Sequence, residues 1–255
     1  MKRDFLTRHR VHDYAYLIGR WRAVATRAGL VMRRFATGGE YPLYYVRSKR
    51  LPKTGAIYMS AGIHGDEPGA TEGFITWAEK NTRTLKTRPF LMIPCINPWG
   101  LVNNSRIDSM GRDLNRTFQD DAVPEIAALK RLIKPQNFAM TLTLHEDYDG
   151  IGIYIYEVQG AQPYWGEALL DAARPHVPPD TRSAIEGRDA QAGLIRPVPD
   201  MDLFKRIGTP EALYMHLLGC PRVYTVETPS EYGLDRRVAA QVAVIEECMR
   251  LVRRG

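Results

Sequence analysis

Short apolar segments alternate with helical ones along most of this chain, and this alternation restricts the folds that it can adopt. The apolar segments are apolar throughout rather than at every second residue, which is typical of parallel strands covered on both faces. The pattern predicts an α/β fold with a mixed, largely parallel sheet covered by helices on both faces. The predicted strands span residues 54–63, 88–98, 138–150, 151–158 and 219–230. The predicted helices span residues 12–28, 71–80, 123–134 and 236–254.

The length of 255 residues is typical of one large domain, and we predict a single domain over residues 1–255. Residues 1–50 are predicted to be an N-terminal elaboration, in which a β-hairpin over residues 30–47 follows the first helix. Residues 177–206 are rich in Pro, Asp and Arg. We interpret this last segment as an excursion from the domain rather than a second domain.

The formal net charge of +6 is unevenly distributed. The first 50 residues hold twelve Lys or Arg and three Asp or Glu, a net charge of +9, so the rest of the chain is near −3. A basic face of this kind can attract nucleic acid or membrane lipid. We favour a solvated surface instead and expect no specific nucleic-acid partner, because no nucleic-acid motif accompanies the charge.

Several features bear on the cellular compartment. No run of about 18 uncharged apolar residues is present, so we expect no membrane span and no membrane partner. The N-terminal stretch MKRDFLTRHR lacks the apolar region of a secretory signal. Cys95, Cys220 and Cys248 are far apart and form no CxxC pair, so a disulfide framework is not expected. These features together predict a protein of the reducing cytoplasm.

Three predicted strands end in residues that are costly to bury without a partner. His64 and Glu67 follow the first of these strands, His145 lies at the end of another, and Glu227 lies near the end of the last. The carboxyl ends of parallel strands meet at one edge of a sheet, where α/β proteins bind their ligands. Two histidines and a glutamate can hold a zinc ion and leave one position for water, and a second carboxylate can accept a proton from that water.

Five motifs along the chain occur in the order that one enzyme family shows. They are HxxE at residues 64–67, NPxG at 97–100, DLNR at 113–116, a strand-terminal His145, and TVET with Glu227. Together they resemble the M14 zinc carboxypeptidases, whose wider clan includes succinylglutamate desuccinylase and aspartoacylase. The resemblance covers residues 54–230. It implies the α/β/α sandwich of the zinc carboxypeptidases and one Zn²⁺ ion per chain.

The resemblance also implies roles around that ion. His64, Glu67 and His145 match the metal ligands, and Glu227 matches the general base that later protonates the leaving amine. Asp66 is interpreted as a residue that orients an imidazole or caps the following helix rather than as a ligand.

Other readings of these positions stay open at the level of sequence. Glu146 or Asp147 could supply the third ligand in place of His145. Glu227 could instead form a buried ion pair with an arginine. His176 and His216 are interpreted as structural residues.

The polar segment 97–118 is predicted to be a long loop, and loops of this length are usually functional. The resemblance implies that Asn115 and Arg116 grip a substrate carboxylate, for which a guanidinium fork is suited. It also implies that Arg106 polarises the scissile carbonyl. Arg112 lies in the same segment and is the alternative to Arg106.

The leading prediction is a zinc-dependent metallocarboxypeptidase that hydrolyses the amide bond next to a free C-terminal carboxylate. The alternative is an N-acyl amino acid deacylase of the desuccinylase or aspartoacylase type, so the expected partner is a small peptide or an N-acyl amino acid. Apart from Tyr224 within the predicted strand itself, Tyr214 is the nearest upstream candidate for the tyrosine that the peptidases supply ahead of the general base. A non-catalytic binding module with the same fold is a further alternative. The sequence does not indicate an oligomeric state.

Overall fold

The computed structural model describes residues 10–158, 160–199 and 201–253, so that most of the N-terminal stretch considered for a secretory signal lies outside the described residues. Ten strands are found in these ranges. They are β1 (Val31–Gly38), β2 (Tyr41–Arg47), β3 (Thr54–Ala61), β4 (Phe90–Ile93), β5 (Asn137–Asp147), β6 (Tyr154–Val158), β7 (Ala184–Ile185), β8 (Arg188–Asp189), β9 (Leu194–Ile195) and β10 (Val223–Pro229).

Eight of these described strands form one sheet in the order β1-β2-β4-β3-β5-β10-β6-β9, and β7 pairs with β8 separately. The four central strands β4, β3, β5 and β10 are parallel. β1 and β2 form the predicted hairpin, and β2 joins β4 in antiparallel orientation. On the other side β6 runs antiparallel to β10, and β9 runs parallel to β6. The sheet is mixed and mostly parallel, which confirms the predicted fold class.

Helices connect the strands and pack on the sheet. They are α1 (Tyr14–Ala28), α2 (Pro68–Lys80), α3 (Thr82–Thr87), α4 (Pro98–Asn103), α5 (Pro124–Ile133), α6 (Gly166–Ala173), α7 (Met201–Ile207), α8 (Glu211–Leu217) and α9 (Leu234–Leu251). A single 3₁₀ turn in the described ranges spans Leu114–Arg116. In the described ranges, the helices include none that is both long and apolar enough to cross a membrane.

The two faces of the sheet enter two different apolar cores. Ile57 and Met59 of β3 pack in one core with residues of α1, α2, α6 and α9. Tyr58, which lies between them, packs in the other core with residues of α5 and α8. Successive side chains of a strand point to opposite faces, so a strand with helices on both sides must be apolar at every position. This packing explains why the apolar segments do not alternate with polar residues.

The N-terminal helix α1 belongs to the first core. Trp21 has no exposed surface, and its ring meets the ring of Phe74 on α2 edge-on at a centroid distance of 4.8 Å. Asp13 caps the start of α1 by accepting a hydrogen bond from the Tyr16 N–H. Gly29 ends the helix in the left-handed region, with a φ of 66°, which favours glycine. The helix predicted over residues 12–28 is therefore confirmed.

The segment after β3 and α2 differs from the prediction. The strand predicted over residues 88–98 is only the four residues of β4, and the loop predicted over residues 97–118 contains α4 and the 3₁₀ turn. Pro98 occupies the first turn of α4, and the side chain of Asn97 accepts a hydrogen bond from the Gly100 N–H. Both residues favour a helix start here.

The segment over residues 177–206 extends the edge of the same sheet. It contains the β7–β8 hairpin, strand β9 and the first part of α7. The short helices α3, α6, α7 and α8 were not predicted. α3, α7 and α8 have six or seven residues each, too few for an apolar period to stand out from the surrounding polar chain.

Candidate metal centre

The three predicted ligands converge at the carboxyl ends of β3 and β5. His64 follows β3, Glu67 lies at the residue before α2, and His145 is near the end of β5. All three side chains are buried, with at most 5% of each residue exposed. A Cβ atom on Gly65 would lie 1.8 Å from the backbone carbon of Gly100, so only glycine lets the loop between the first two ligands pack against α4.

Glu67 bridges the two histidines. Its Oε1 lies 2.5 Å from Nδ1 of His64, and its Oε2 lies 3.0 Å from Nδ1 of His145. Donor atoms of the three residues all lie within 4.8 Å of one another. Zinc binds nitrogen and carboxylate oxygen at about 2.0–2.2 Å, so donors around one ion must lie this close together. The donor set and its spacing therefore fit one divalent ion held by two imidazoles and a carboxylate.

Asp113 orients the first imidazole. Its Oδ1 lies 3.2 Å from Nε2 of His64, and its Oδ2 accepts hydrogen bonds from Nε and Nη2 of Arg106 at 3.2 and 3.0 Å. A carboxylate at Nε2 keeps the proton on that nitrogen and leaves Nδ1 as the atom that can bind a metal. Burial opposes the charged form of Asp113, but His64 and Arg106 outweigh it and lower the pKa of this carboxyl.

Without a metal ion, the two imidazoles and the carboxylate of this centre favour their charged forms. Burial disfavours the charged form of His64, but the carboxylates of Glu67 and Asp113 outweigh it and raise the pKa of His64 to about 9. The pKa of His145 is raised in the same way, against burial, mainly by Glu67. Burial would raise the pKa of Glu67, yet the two imidazoles lower it to about 2. A metal ion must therefore displace protons from the imidazoles, so its affinity depends on pH.

Glu227 lies directly beside this group. It is opposite His145 in the parallel pairing of β10 with β5, so both side chains point to the same face of the sheet. Burial raises the pKa of Glu227 well above its ordinary value, and Glu67 adds to the shift while His145 opposes it. Among the described residues no arginine forms an ion pair with the carboxylate of Glu227. The buried ion pair considered from the sequence is therefore not present there.

The other acidic candidates have different partners. Glu146 forms a buried ion pair with Arg237 at 2.7 Å and accepts a hydrogen bond from the Gly69 N–H. Asp147 accepts a hydrogen bond from the Tyr154 hydroxyl at 3.0 Å. The group of possible ligands found in the described residues contains His145 and neither of these carboxylates. Asp66 is also outside that group, and its Oδ1 is buried without a hydrogen bond.

The two arginine candidates have different ion-pair partners, and only one of them lies at the metal centre. Arg106 reaches the metal centre, with its Nη1 3.3 Å from Nδ1 of His64. Arg112 is instead held by Asp108 at 2.8 Å and by Glu125 at 3.3 Å. Arg106 lines the cavity that His64, Glu67 and Glu227 also line, and Arg112 does not.

That cavity has a volume of about 600 Å³ and also contains the predicted carboxylate-binding pair. Asn115 and Arg116 lie in the 3₁₀ turn. The Nη1 group of Arg116 donates to the Asn115 carbonyl at 3.0 Å, and no described carboxylate forms an ion pair with this guanidinium. The Oδ1 atom of Asn115 accepts a hydrogen bond from the Glu211 N–H at 2.9 Å. The amide nitrogen of Asn115 and the guanidinium of Arg116 are thus available to a ligand.

The structure does not bring Tyr214 to this cavity. Its ring packs against Phe118 at 5.6 Å in the second core, and its hydroxyl is buried without a hydrogen bond. Tyr154 and Tyr156 line the cavity instead. They lie opposite Glu227 and Thr225 in the antiparallel pairing of β6 with β10. The sequence contains both tyrosines at alternating positions, but the neighbour of β6 could not be predicted from it.

The segment over residues 177–206, together with α7, supplies one wall of the cavity. Glu186 and Arg188 from the β7–β8 hairpin line it, and Phe204 and Ile207 of α7 line it as well. The hydroxyl of Tyr156 donates to Glu186 and ties the hairpin to the sheet. The excursion was predicted without a role, since nothing in its composition indicates that it contacts a site formed by distant residues.

Comparisons with known proteins support the resemblance read from the motifs. The family model for the succinylglutamate desuccinylase/aspartoacylase catalytic domain matches residues 53–159. No curated protein is significantly similar to the chain in sequence. Among solved structures, a proposed metallopeptidase from Shewanella amazonensis superimposes with a TM-score of 0.83 at 21% identity, covering 95% of this chain and 94% of that chain.

Two metallo-carboxypeptidases share the fold. The one from Burkholderia cenocepacia has a TM-score of 0.69 at 19% identity, covering 94% of this chain and 68% of that chain. The one from Pseudomonas aeruginosa, solved with (2-guanidinoethylmercapto)succinic acid, has a TM-score of 0.63 at 19% identity, covering 92% of this chain and 68% of that chain. The predicted resemblance is confirmed: this chain has the fold of the metallo-carboxypeptidase clan and matches its desuccinylase/aspartoacylase branch over residues 53–159.

Proposed function

We propose that this protein is a zinc-dependent hydrolase that cleaves an amide bond next to a free carboxylate. The observation that carries the proposal is a single cavity that joins candidate metal ligands to a candidate carboxylate-binding pair. Its lining includes His64, Glu67 and Glu227, and it also includes the Asn115 and Arg116 pair. His145 lies directly behind Glu67, with its Nδ1 3.0 Å from Oε2 of Glu67. Two imidazoles, one carboxylate and an open side make zinc the first choice of ion.

His64, Glu67 and His145 would hold the ion. When bound, the ion would supply a water that is acidic enough to react at neutral pH and would polarise the scissile carbonyl. Glu227 accepts a proton from the attacking water as the water oxygen bonds to the carbonyl carbon. The same carboxyl then donates this proton to the amide nitrogen as the carbon–nitrogen bond breaks. The released products are a carboxylic acid and an amine.

Arg106 and the pair Asn115 and Arg116, which we call the clamp, act on the substrate itself. The guanidinium of Arg106 forms hydrogen bonds with Asp113 and lies 3.3 Å from Nδ1 of His64, which supports a role in stabilising negative charge on the carbonyl oxygen in the transition state. Arg116 offers a planar fork and Asn115 a neutral N–H donor, which together suit a substrate carboxylate. This pair is the reason for proposing a substrate with a free carboxylate.

The leading substrate is a peptide, from which the enzyme would remove the C-terminal residue. The similarity to the carboxypeptidase structures supports this form. The second candidate is an N-acyl amino acid, and the match to the desuccinylase/aspartoacylase catalytic domain favours it. Hydrolysis of either substrate would require the same metal ligands, the same general base and the same clamp. The two candidates differ only in the acyl group that the cavity must accept.

Product analysis by mass spectrometry tests the proposal. The zinc-loaded protein is incubated with free-carboxyl peptides, the same peptides with amidated C-termini, and N-acyl amino acids including N-succinylglutamate. Loss of single C-terminal residues from the free-carboxyl peptides alone supports the carboxypeptidase. Release of amino acids from the N-acyl pool alone makes the protein a deacylase. No product from any pool, or equal products from the amidated peptides, contradicts the proposal.

A further inference from the structure

Glu211 is a buried carboxylate that the proposed mechanism does not use. Only 1% of the residue is exposed, although it lies at the start of a helix. The hydroxyl of Tyr58 donates to its Oε1 at 2.5 Å, and the hydroxyl of Ser60 donates to its Oε2 at 2.8 Å. Both hydroxyls belong to β3, the strand that leads to the first metal ligand. The side chain of Glu211 therefore fastens the start of α8 to the centre of the sheet.

The backbone of the same residue reaches the substrate clamp. The N–H of Glu211 donates to Oδ1 of Asn115 at 2.9 Å. If the Asn115 amide rotated by half a turn, its NH₂ group would face this N–H, and two donors would be opposed. The contact therefore fixes the oxygen of Asn115 toward α8 and leaves its NH₂ group for a ligand.

The hydrogen bonds continue from the clamp to the metal centre. The N–H of Asn115 donates to Oδ1 of Asp113 at 2.9 Å, and the same carboxylate orients His64 and Arg106. Residues next to Glu211 on α8 line the cavity, while Glu211 itself is not a lining residue and its side chain contacts β3. One buried carboxylate thus connects β3, the cavity wall and the clamp.

We propose that Glu211 is a positioning residue for substrate carboxylate recognition. Held by Tyr58 and Ser60, it fixes the start of α8 so that its own N–H sets the orientation of the Asn115 amide. The inference rests on the proposed function, in which Asn115 and Arg116 bind the carboxylate of the substrate. It predicts that Glu211 controls the preference for a free carboxylate over an amide at that position.

The test compares the binding of one short peptide with a free C-terminus and its amidated form. Binding to metal-depleted protein is measured by calorimetry, and kcat and KM are measured with zinc. Glu211→Ala removes the acceptor of both hydroxyls, and Glu211→Gln keeps an acceptor for Tyr58 and a donor for Ser60. Glu157→Ala is the matched control, because Glu157 is also buried and also anchors a helix start, through the N–H groups of Trp165 and Gly166.

Glu211→Ala is expected to reduce the preference for the free carboxylate by about tenfold, the usual scale for one hydrogen bond to a charged group. The loss is expected mainly in KM, and Glu211→Gln and Glu157→Ala are expected to keep the wild-type preference. Tyr58→Phe removes one donor while keeping the ring, and it is expected to give a smaller loss of preference. It replaces Glu211→Ala if that variant does not fold, as judged by thermal unfolding.

Two results overturn different statements. If the wild-type protein binds the free and amidated peptides equally, no clamp operates and the proposed function fails. If the wild-type protein prefers the free carboxylate and Glu211→Ala keeps that preference, the role of Glu211 is refuted while the proposed function stands. An unchanged preference in Tyr58→Phe has the same meaning when Glu211→Ala does not fold.

Discussion

Metal affinity is expected to rise steeply with pH, because protons and the ion compete for the same imidazole nitrogens. The pKa of His64 is raised to about 9, so at pH 7 its Nδ1 carries a proton that the ion must displace. Two pH units below that pKa, the displacement of one proton weakens the apparent affinity by about a hundredfold. The pKa of His145 is also raised, so a second proton adds to the slope at lower pH.

Competition with a chromophoric chelator between pH 6 and pH 9 measures this dependence directly. We expect the apparent affinity of the wild-type protein for zinc to increase about tenfold per pH unit between pH 7 and pH 9. An affinity that stays constant over this range would refute the assignment of His64 as a ligand that is protonated in the metal-free protein. The assay needs no substrate, so its result does not depend on the proposed activity.

Asp113→Asn separates the two effects of the orienting carboxylate. The amide oxygen can still accept a hydrogen bond from Nε2 of His64, but the part of the raised pKa of His64 that comes from the hydrogen bond to a charged Asp113 is lost, while the larger part from Glu67 stays. We expect affinity at pH 9 to fall by about tenfold or more and the pH slope above pH 7 to become shallower. Asp180→Asn is the control, since Asp180 is buried and paired with Arg182 outside the cavity. An equal slope in wild type and Asp113→Asn would contradict the reasoning.

Three further substitutions test the site and the core. Glu227→Gln is expected to lower kcat by about 10²- to 10⁴-fold while zinc affinity, measured with the same chelator, is retained; activity within a few fold of wild type would exclude Glu227 as the base. Arg116→Lys is expected to raise KM for free-carboxyl substrates by about tenfold in steady-state kinetics, since an ammonium lacks the planar fork, with no comparable change in the affinity of the metal-depleted protein for amidated peptides. Trp21→Ala is expected to lower the free energy of unfolding by about 3–5 kcal/mol in urea titrations, because the side chain has no exposed surface and packs on Phe74. A loss below 1 kcal/mol would mean that α1 is not part of the first core.

Much of the candidate site could be predicted because its residue types stand out from their surroundings. His145 and Glu227 each lie within an apolar strand, where an imidazole or a carboxylate is costly without a partner. Their placement near strand ends indicates a shared edge of a parallel sheet. The choice between Arg106 and Arg112 could not be made in this way, since both lie in one polar segment. It depends on the separate ion pairs with Asp113 and Asp108.

The sequence alone determined the α/β class, the succession of the main strands along the chain and the residue types of the candidate metal site. These follow from apolar periodicity and from isolated polar residues, which act over a few neighbouring positions. Only the tertiary structure placed Tyr154 and Tyr156 in the cavity and Tyr214 outside it, and only it connected Glu211 to Asn115. Those relations join residues of separate elements, and they depend on which strands become neighbours and in which register. Strand order and register are decided by the packing of the whole sheet against its helices, so no local pattern of residues contains them.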